Sequence, residues 1–211
     1  MTQDLEDYIE NHISPDPPVL RKIDRETNLR FLNGRMCSGH IQGRLLKLLI
    51  AMAKPKRVLE LGTFTGYSAL SMAEGLDEDA SLDTIESNDE MEQVIRDNLN
   101  QSPYGHKINL HIGDAIRVME NWPDNEFDLA LIDADKRQYP QYFKKLLKLV
   151  KPGGFILADN TLWGGHVTDM NQPSSQTKGI LEFNDLLVST PGIETAIIPM
   201  RDGLTLIRKL P

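Results

Sequence analysis

The sequence predicts an α/β fold: a sheet of five parallel strands that ends in an antiparallel hairpin, seven strands in all, with helices on both faces and an N-terminal helical extension. From residue 56 onward, short apolar runs alternate with helical patterns, which is typical of strand–helix units in a parallel sheet. The runs are nearly continuous in apolar residues, as strands covered on both faces are. A short turn, Arg201-Asp202-Gly203, joins the last two runs, so these strands are predicted to be antiparallel.

The first fifty residues have the pattern of three amphipathic helices. Pro15, Pro17 and Pro18 separate the first helix from the second. We therefore expect an N-terminal helical extension over residues 1–54 and one globular domain over residues 55–211. The apolar residues at helical spacing are Leu5, Tyr8, Ile9 and Ile13, then Leu20, Ile23, Leu29 and Leu32, then Ile41, Leu45, Leu48 and Leu49.

Strands and helices then alternate along the rest of the chain. The predicted parallel strands span residues 57–61, 81–86, 107–112, 127–133 and 154–159. The helical segments between and after them span residues 67–75, 89–100, 114–121, 138–149 and 176–189. The closing strands are predicted at residues 194–198 and 204–209.

Composition and charge exclude several classes of protein. The 211 residues are 40% hydrophobic and 26% charged, so intrinsic disorder is not expected. A net charge of −8, from 23 basic and 31 acidic residues, argues against non-specific binding of nucleic acid. The single cysteine, Cys37, excludes a disulfide within the chain and a cysteine-rich zinc site. Because the N-terminus is acidic and no apolar run approaches roughly 20 residues, we expect a cytoplasmic protein that does not enter membranes.

A glycine-containing loop follows the first predicted strand and opens the first helix of the sheet domain. Gly62 and Gly66 let the backbone approach a ligand, and the N–H groups of the helix start attract a polar or anionic group. The spacing is neither the Gly-x-Gly-x-x-Gly of dinucleotide-binding dehydrogenases nor a P-loop. A dinucleotide, S-adenosylmethionine or a tight turn without a ligand all remain open at this stage.

Acidic residues end the second and third predicted strands. Glu86 is placed to accept both hydroxyls of a ribose, and it would alternatively cap the helix that starts near Asn88. Asp114 is placed to accept a hydrogen bond from an adenine amino group, and it also suits the N-cap of the helix that follows. These positions favour a nucleoside-containing ligand.

Oxygen-bearing side chains also end the fourth and fifth strands. Asp133, Asp159 and Asn160 together offer the hard oxygen ligands that suit Mg²⁺ or a similar divalent ion. The alternative is that they cap helices. Adjacent residues on a strand point to opposite faces, so Asp159 and Asn160 can share one metal only where the chain has already left the strand.

Three segments carry a resemblance to a known family. They are Glu60-Leu61-Gly62-Thr63-Phe64-Thr65-Gly66-Tyr67-Ser68, Asp133-Ala134-Asp135-Lys136 and Asp159-Asn160-Thr161-Leu162-Trp163. Together they resemble the class I S-adenosylmethionine-dependent methyltransferases, with their Rossmann-like sheet. Within that class they are similar to the metal-dependent O-methyltransferases of the caffeoyl-CoA and catechol type, including small bacterial members. The resemblance covers about residues 30–209. Residues 36–40 differ from the valine-rich sequence that is more usual in the family.

The resemblance implies roles for individual residues. Asp133 would serve both cofactor and metal, with Asp159 and Asn160 completing the metal site. Lys136 would act as general base, and the alternative is a solvated lysine in Asp-Lys-Arg. Trp163 would form a wall of the substrate pocket, and the equal alternative is a core or lid aromatic. Cofactor contacts are implied for Met36, Glu60, Gly62, Tyr67, Ser68, Glu86, Asp114, Ala115 and Asp133.

The implied activity is transfer of a methyl group from S-adenosylmethionine to a hydroxyl of a small vicinal diol, with Mg²⁺, or Ca²⁺ or Mn²⁺ in its place. A hydroxylated aromatic compound is the expected substrate, and a hydroxyuridine in tRNA is the alternative within the family. A nicotinamide-dependent oxidoreductase and a non-catalytic S-adenosylmethionine-binding module are less favoured readings. Family members commonly pair, so a homodimer is expected.

Overall fold

The computed structural model describes residues 3–169, 171 and 173–211. Within them, seven strands form one sheet in the order β3-β2-β1-β4-β5-β7-β6. The strand pairs β1–β4, β2–β3 and β4–β5 are parallel, whereas β7 is antiparallel to both β5 and β6. The predicted α/β fold class is therefore confirmed. The strands are β1 (Arg57–Leu61), β2 (Ser81–Glu86), β3 (Ile108–Ile112), β4 (Phe127–Ile132), β5 (Val150–Ala158), β6 (Ile193–Ile198) and β7 (Leu204–Lys209).

The helices lie between the strands in the predicted order. Short 3-10 turns precede several of them, so the predicted helix over 89–100 begins as the turn Asp89–Met91. The helices are α1 (Gln3–His12), α2 (Pro18–Arg30), α3 (Gly39–Ala53), α4 (Tyr67–Gly75), α5 (Glu92–Asn100), α6 (Ala115–Met119), α7 (Tyr139–Leu149) and α8 (Ser175–Ser189). In the described part of the chain, no helix is both long and apolar enough to span a bilayer.

The chain packs as two compact units. The first comprises the described residues up to Lys56 together with Thr63–Ile112, and so contains β2 and β3. The second comprises Arg57–Gly62 and the described residues from Gly113 onward, and so contains the other five strands. The division expected from the sequence, at residues 54 and 55, stays a prediction.

In the first unit, close packing of α3 on α4 selects which face of α3 is buried. A Cβ atom on Gly43 would lie 2.8 Å from the Tyr67 ring, so glycine is what allows the two helices to approach here. The buried side of α3 therefore carries Gly43, Leu46 and Ile50. Leu48, which the sequence pattern placed on the apolar face, is 53% exposed, and that detail of the interpretation was wrong.

In the second unit, aromatic side chains fix α7 and α8 beside the strand ends. Tyr139, Phe143 and Phe183 are fully buried, and Phe183 makes edge contacts with the other two rings at centroid distances of 5.5 and 5.8 Å. The Tyr139 hydroxyl donates to the carbonyl oxygens of Ile132 and Asp159, at 3.2 and 3.1 Å. One phenol thus holds the C-terminal ends of β4 and β5 together.

Candidate functional site

In the first unit, Glu86 ends β2 as predicted and holds the start of the glycine loop. One carboxylate oxygen accepts from the Phe64 backbone N–H at 2.8 Å, and the other accepts from the Asn88 N–H at 2.8 Å. The contact with Asn88 agrees with the capping interpretation, and the contact with Phe64 adds a link to the loop. The Thr63 and Thr84 hydroxyls, 2.6 Å apart, make a second link between the loop and β2. Each carboxylate oxygen has a further lone pair with which to accept a ribose hydroxyl.

Tyr67 and Ser68 lie in the first turn of α4, directly after Gly66. The Tyr67 side chain is 2% exposed, and its hydroxyl donates to the Asp16 carboxylate. Burial is the main cause that raises the pKa of this phenol. A cofactor contact from Tyr67 would therefore fall to its backbone at the helix start, where N–H groups favour polar ligands.

A buried ion cluster holds Tyr67 from the N-terminal side. Arg44 Nε lies 2.9 Å from Asp16 Oδ1, and its terminal nitrogens donate to both oxygens of Glu74 at 3.1 and 2.7 Å. The side chains of Arg44 and Asp16 are 7% and 5% exposed. These residues are not predictable from the sequence, because no sequence pattern near Arg44 indicates that an arginine of α3 is buried.

Residues of α2 and α5 also contact the glycine loop. The Thr27 hydroxyl donates to the Thr65 hydroxyl at 3.0 Å, and the Asn98 amide donates to the Thr65 carbonyl at 2.9 Å. Phe31 packs edge-on against Phe64. Met36, assigned to the cofactor from the resemblance, ends the 3-10 turn Gly34–Met36 and is 57% exposed.

In the second unit, Gly62 is the residue that lets β1 and β4 end side by side. The Asp133 N–H donates to the Leu61 carbonyl at 2.9 Å. Gly62 has a φ of 97°, and a Cβ atom there would lie 2.1 Å from the Asp133 carbonyl oxygen. No other residue fits this position. Glu60, one residue before Leu61 on β1, is fully buried.

Asp133 and Lys136 form an ion pair at the end of β4. Lys136 Nζ lies 2.8 Å from Asp133 Oδ1, and the two side chains are 12% and 17% exposed. Burial, opposed by the charge of Lys136 and reinforced by that of Asp159, raises the pKa of Asp133 to about 6. Arg137, for which the sequence suggested no role, donates to the Asp135 carboxylate.

Asp159 and Asn160 meet the condition that the sequence analysis set for sharing one metal. β5 ends at Ala158, so both residues lie beyond the strand. Asn160 adopts the left-handed conformation, with a φ of 59°, and its N–H donates to Asp159 Oδ1 at 2.8 Å. Asp159 is 5% exposed.

The chemistry of this donor set fits a hard divalent cation. Among the described residues, no group of three or more His, Cys, Asp or Glu side chains is placed to hold a metal. The candidate set has only two such side chains, Asp133 and Asp159, and its third member is the amide of Asn160. Asp159 already raises the pKa of Asp133 by charge repulsion, which a cation between carboxylates would relieve. The residues present therefore fit the group.

The loop after Asn160 is held by the turn between β6 and β7. The Thr161 N–H donates to the Gly203 carbonyl at 3.1 Å, and the Leu162 and Trp163 N–H groups donate to the Asp202 carbonyl at 2.8 and 3.1 Å. Trp163 has a φ of 47°, a left-handed backbone conformation that large residues rarely adopt. The loop after Asn160 continues as the 3-10 segment Trp163–Thr168.

Asp114 has the capping role that the sequence left open. Its carboxylate accepts from the Arg117 N–H at 3.0 Å at the start of α6. Asp114 is exposed, whereas Ala115 is buried. The second carboxylate oxygen is compatible with an adenine contact.

Comparisons with known proteins agree with this geometry. Residues 10–210 match the family described as O-methyltransferase. The chain is 34% identical to caffeoyl-CoA O-methyltransferase 2 of Zea mays, over 99% of this chain and 84% of the plant protein.

Solved structures agree as well. The O-methyltransferase TomG of Streptomyces achromogenes, in complex with S-adenosylmethionine, superposes with a TM-score of 0.90 at 27% identity over 100% of both chains. The Bacillus cereus O-methyltransferase, in complex with S-adenosylhomocysteine, superposes with a TM-score of 0.88 at 25% identity over 98% of this chain and 97% of that one.

Proposed function

The chain belongs to the family of S-adenosylmethionine-dependent O-methyltransferases that includes the caffeoyl-CoA enzymes, and from this premise we propose that it methylates a hydroxyl of a small aromatic vicinal diol with the help of a divalent cation. The family resemblance inferred from the sequence is thus confirmed. The cation and the acceptor are the proposed parts.

The observation that carries the proposal is the group of Asp133, Lys136, Asp159 and Asn160 at the ends of β4 and β5. One buried carboxylate, one partly buried carboxylate and an amide, together with a partly buried lysine, are more than helix capping requires, and carboxylates withdrawn from water are costly without such partners. Asp133, Asp159 and Asn160 would hold the cation, preferably Mg²⁺. When bound, the cation lowers the pKa of a coordinated hydroxyl and orients the diol.

Lys136 is proposed to move the proton. In its neutral form, Nζ accepts the proton of the reacting hydroxyl, and the hydroxyl oxygen then forms the new bond to the methyl carbon as the carbon–sulfur bond breaks. Its place 2.8 Å from Asp133 Oδ1 puts the base at the edge of the proposed metal set. A positioned base contributes about 10²–10⁴-fold to such a rate.

The cofactor residues are proposed from the motifs of each unit taken separately. In the first unit they are Glu86, Tyr67, Ser68 and Met36, with Glu86 binding the ribose and Tyr67 and Ser68 contributing the start of α4. In the second unit they are Glu60, Gly62, Asp114, Ala115 and Asp133. Holding both reactants in attack geometry supplies roughly 7–11 kcal/mol of barrier lowering.

Methyl transfer with and without metal tests the proposal. The wild type is expected to methylate a catechol with Mg²⁺, to stop when a chelator is added, and to recover when Mg²⁺ is returned. Asp159→Ala should abolish transfer while leaving S-adenosylmethionine binding in calorimetry within about threefold, since Asp159 is assigned to the metal alone. Asp128→Ala is the control, because the Asp128 carboxylate pairs with Lys151 and accepts from the Arg57 backbone N–H at the other end of β4. Chelator-resistant transfer would refute the metal role.

The acceptor is tested by offering tRNA that contains hydroxyuridine beside the catechol. Transfer to the catechol supports the proposed class. Transfer to tRNA alone would instead establish the other acceptor class of the family. The acidic net charge of −8 favours the small molecule.

A second copy of the chain is the proposed partner of the N-terminal helices. Large apolar side chains are exposed on the first three helices and the turn before α3, which favours an association surface. Leu32→Glu should yield monomers in analytical ultracentrifugation where the wild type is dimeric, whereas Val188→Glu, on α8, should not. A monomeric wild type would overturn this proposal. The exposed residues are Leu5, Tyr8, Leu29, Leu32, Met36, Leu48 and Met52.

A further inference from the structure

The turn between β6 and β7 is hydrogen-bonded to the segment that follows the proposed metal ligand Asn160. The carbonyl oxygens of Asp202 and Gly203 accept three backbone hydrogen bonds from residues 161–163, directly after Asn160. The Thr205 hydroxyl adds a fourth link, since it donates to the buried Thr161 hydroxyl at 2.7 Å. Movement of the turn would therefore move the segment that directly follows the proposed metal ligand Asn160.

Arg201 stands in this turn in a conformation that costs energy. Its φ of 50° lies in the left-handed region, which glycine, asparagine and aspartate tolerate better than arginine does. A short turn next to a strand would be relaxed by glycine at this position. Strained residues that persist in a structure concentrate at binding and catalytic sites.

Arg201 brings a positive charge to the same part of the second unit. It directly precedes Asp202, whose carbonyl oxygen accepts from the Leu162 and Trp163 N–H groups at 2.8 and 3.1 Å, so Arg201 lies beside the segment that follows Asn160. The charge of Arg201 also acts with that of Lys136 to oppose the burial that raises the pKa of Asp133. Arg201 is itself exposed, so a bound molecule can reach it. A bound cation would offset the charges of Asp133 and Asp159, so a neighbouring guanidinium would leave the site favourable to an acceptor that carries a negative charge.

We propose that Arg201 is a specificity-determining residue that binds a carboxylate carried by the aromatic diol. This inference rests on the proposed function and narrows its substrate class to acidic acceptors. The planar guanidinium can pair with both carboxylate oxygens, which would set the ring in one orientation while the diol end faces Asp133, Asp159 and Asn160.

Two acceptors of nearly the same shape test the inference. The probes are 3,4-dihydroxybenzoate and its neutral analogue 3,4-dihydroxybenzamide. The wild type should methylate the acid with a kcat/KM about tenfold or more above that of the amide, as expected for a charge-assisted bidentate pair. Calorimetry with Mg²⁺ and S-adenosylhomocysteine, under which no turnover occurs, should show the same preference in Kd.

Arg201→Asn should remove the preference while keeping the fold, because asparagine tolerates the left-handed backbone. We expect kcat/KM for the acid to fall by about tenfold or more and that for the amide to change by less than about threefold, with Arg201→Lys between wild type and Arg201→Asn. Arg208→Gln is the matched control on the same hairpin, since Arg208 pairs with Glu194 across β6 and β7. It should leave both acceptors unchanged.

The outcomes separate this inference from the proposed function. Equal loss for both probes in Arg201→Asn, or no preference in the wild type, overturns the role of Arg201 while methylation of either diol upholds the proposed function. If neither probe is methylated but the acid binds in an Arg201-dependent manner, the proposed acceptor class fails and the anion site stands. If neither probe binds, both fail.

Discussion

Lys136 shows how much one side chain in this protein depends on its neighbours. Its Nζ is held by Asp133, lies 5.4 Å from the centre of the Tyr139 ring, and is 12% exposed. From the sequence alone, a solvated lysine is the less favoured interpretation of Asp135-Lys136-Arg137. In the structure Lys136 pairs with Asp133 and Arg137 pairs with Asp135, so the two neighbouring cations have different partners.

Replacement of Lys136 tests its proposed task. Lys136→Met should lower kcat for catechol methylation by about 10²–10⁴-fold, because no group remains to accept the proton. S-adenosylmethionine affinity in calorimetry should change little. Arg137→Met is the control, and it should retain activity because Arg137 is exposed and pairs with Asp135. Full activity of Lys136→Met would show that another group accepts the proton.

Gly62 permits a residue-scale test of the strand ends. Gly62→Ala should lower the free energy of unfolding by more than Gly192→Ala does. Both positions have positive φ, but a Cβ atom at Gly192 meets nothing within 4 Å, whereas one at Gly62 meets the Asp133 carbonyl. The Gly192 variant thus measures the backbone strain, about 1–2 kcal/mol. Denaturant unfolding of both variants gives the comparison, and equal losses would contradict the close approach.

At the scale of elements, α3 and α4 are joined by charge as well as by apolar packing. Arg44 on α3 contacts Glu74 on α4 and Asp16, which lies just before α2. The Tyr67 hydroxyl, at the start of α4, donates to the same Asp16 carboxylate. Breaking such a buried cluster leaves a polar group without its partner, which costs more than the lost bond alone. The cluster fixes the helix that begins at the glycine loop.

Tyr67→Phe tests the ion cluster, because it removes the hydroxyl and leaves the shape of the ring unchanged. The Asp16 carboxylate loses a buried donor, so the free energy of unfolding should fall by about 1–3 kcal/mol. Tyr8→Phe, at a side chain that is 60% exposed, is the control and should be neutral. Denaturant unfolding of the ligand-free protein measures both. A neutral Tyr67→Phe would mean that the hydroxyl contributes no net stability.

The sequence predicted the elements and the ends of the strands better than it predicted their packing. Asp133, Asp159 and Glu86 lie where strand ends were expected, since apolar runs that stop at a charge are a local signal. The buried face of α3 was not predictable, because it depends on the close approach at Gly43. The ion cluster was not predictable either, because Asp16 and Glu74 are far from Arg44 in the sequence.

At the scale of the whole molecule, buried phenols make stability depend on alkaline pH. Burial raises the pKa of Tyr67 and Tyr139 well above the usual value and that of Tyr142 to about 12. The folded state therefore favours the neutral phenols. Their contribution is complete below the unfolded pKa of about 10 and is lost as the pH rises above it.

An alkaline titration measures this contribution. Phenolate absorbance of these three tyrosines should rise together with loss of the circular dichroism signal, rather than before it. Tyr142→Phe should remove one chromophore from that cooperative step and leave the earlier part of the titration unchanged. Ionisation of Tyr142 well below pH 12 in the folded protein would contradict its burial.

The hairpin that holds residues 161–163 has a consequence for the order of synthesis. β7 lies between β5 and β6 in the sheet, so β5 has an open edge until residues 204–209 have left the ribosome. Until then the carbonyls of Asp202 and Gly203 cannot fix the loop beside Asn160. A nascent chain that has already formed β1 to β5 thus still lacks the ordered segment after Asn160. Among the seven strands of the sheet β7 is synthesised last, so this segment becomes ordered only when the hairpin closes.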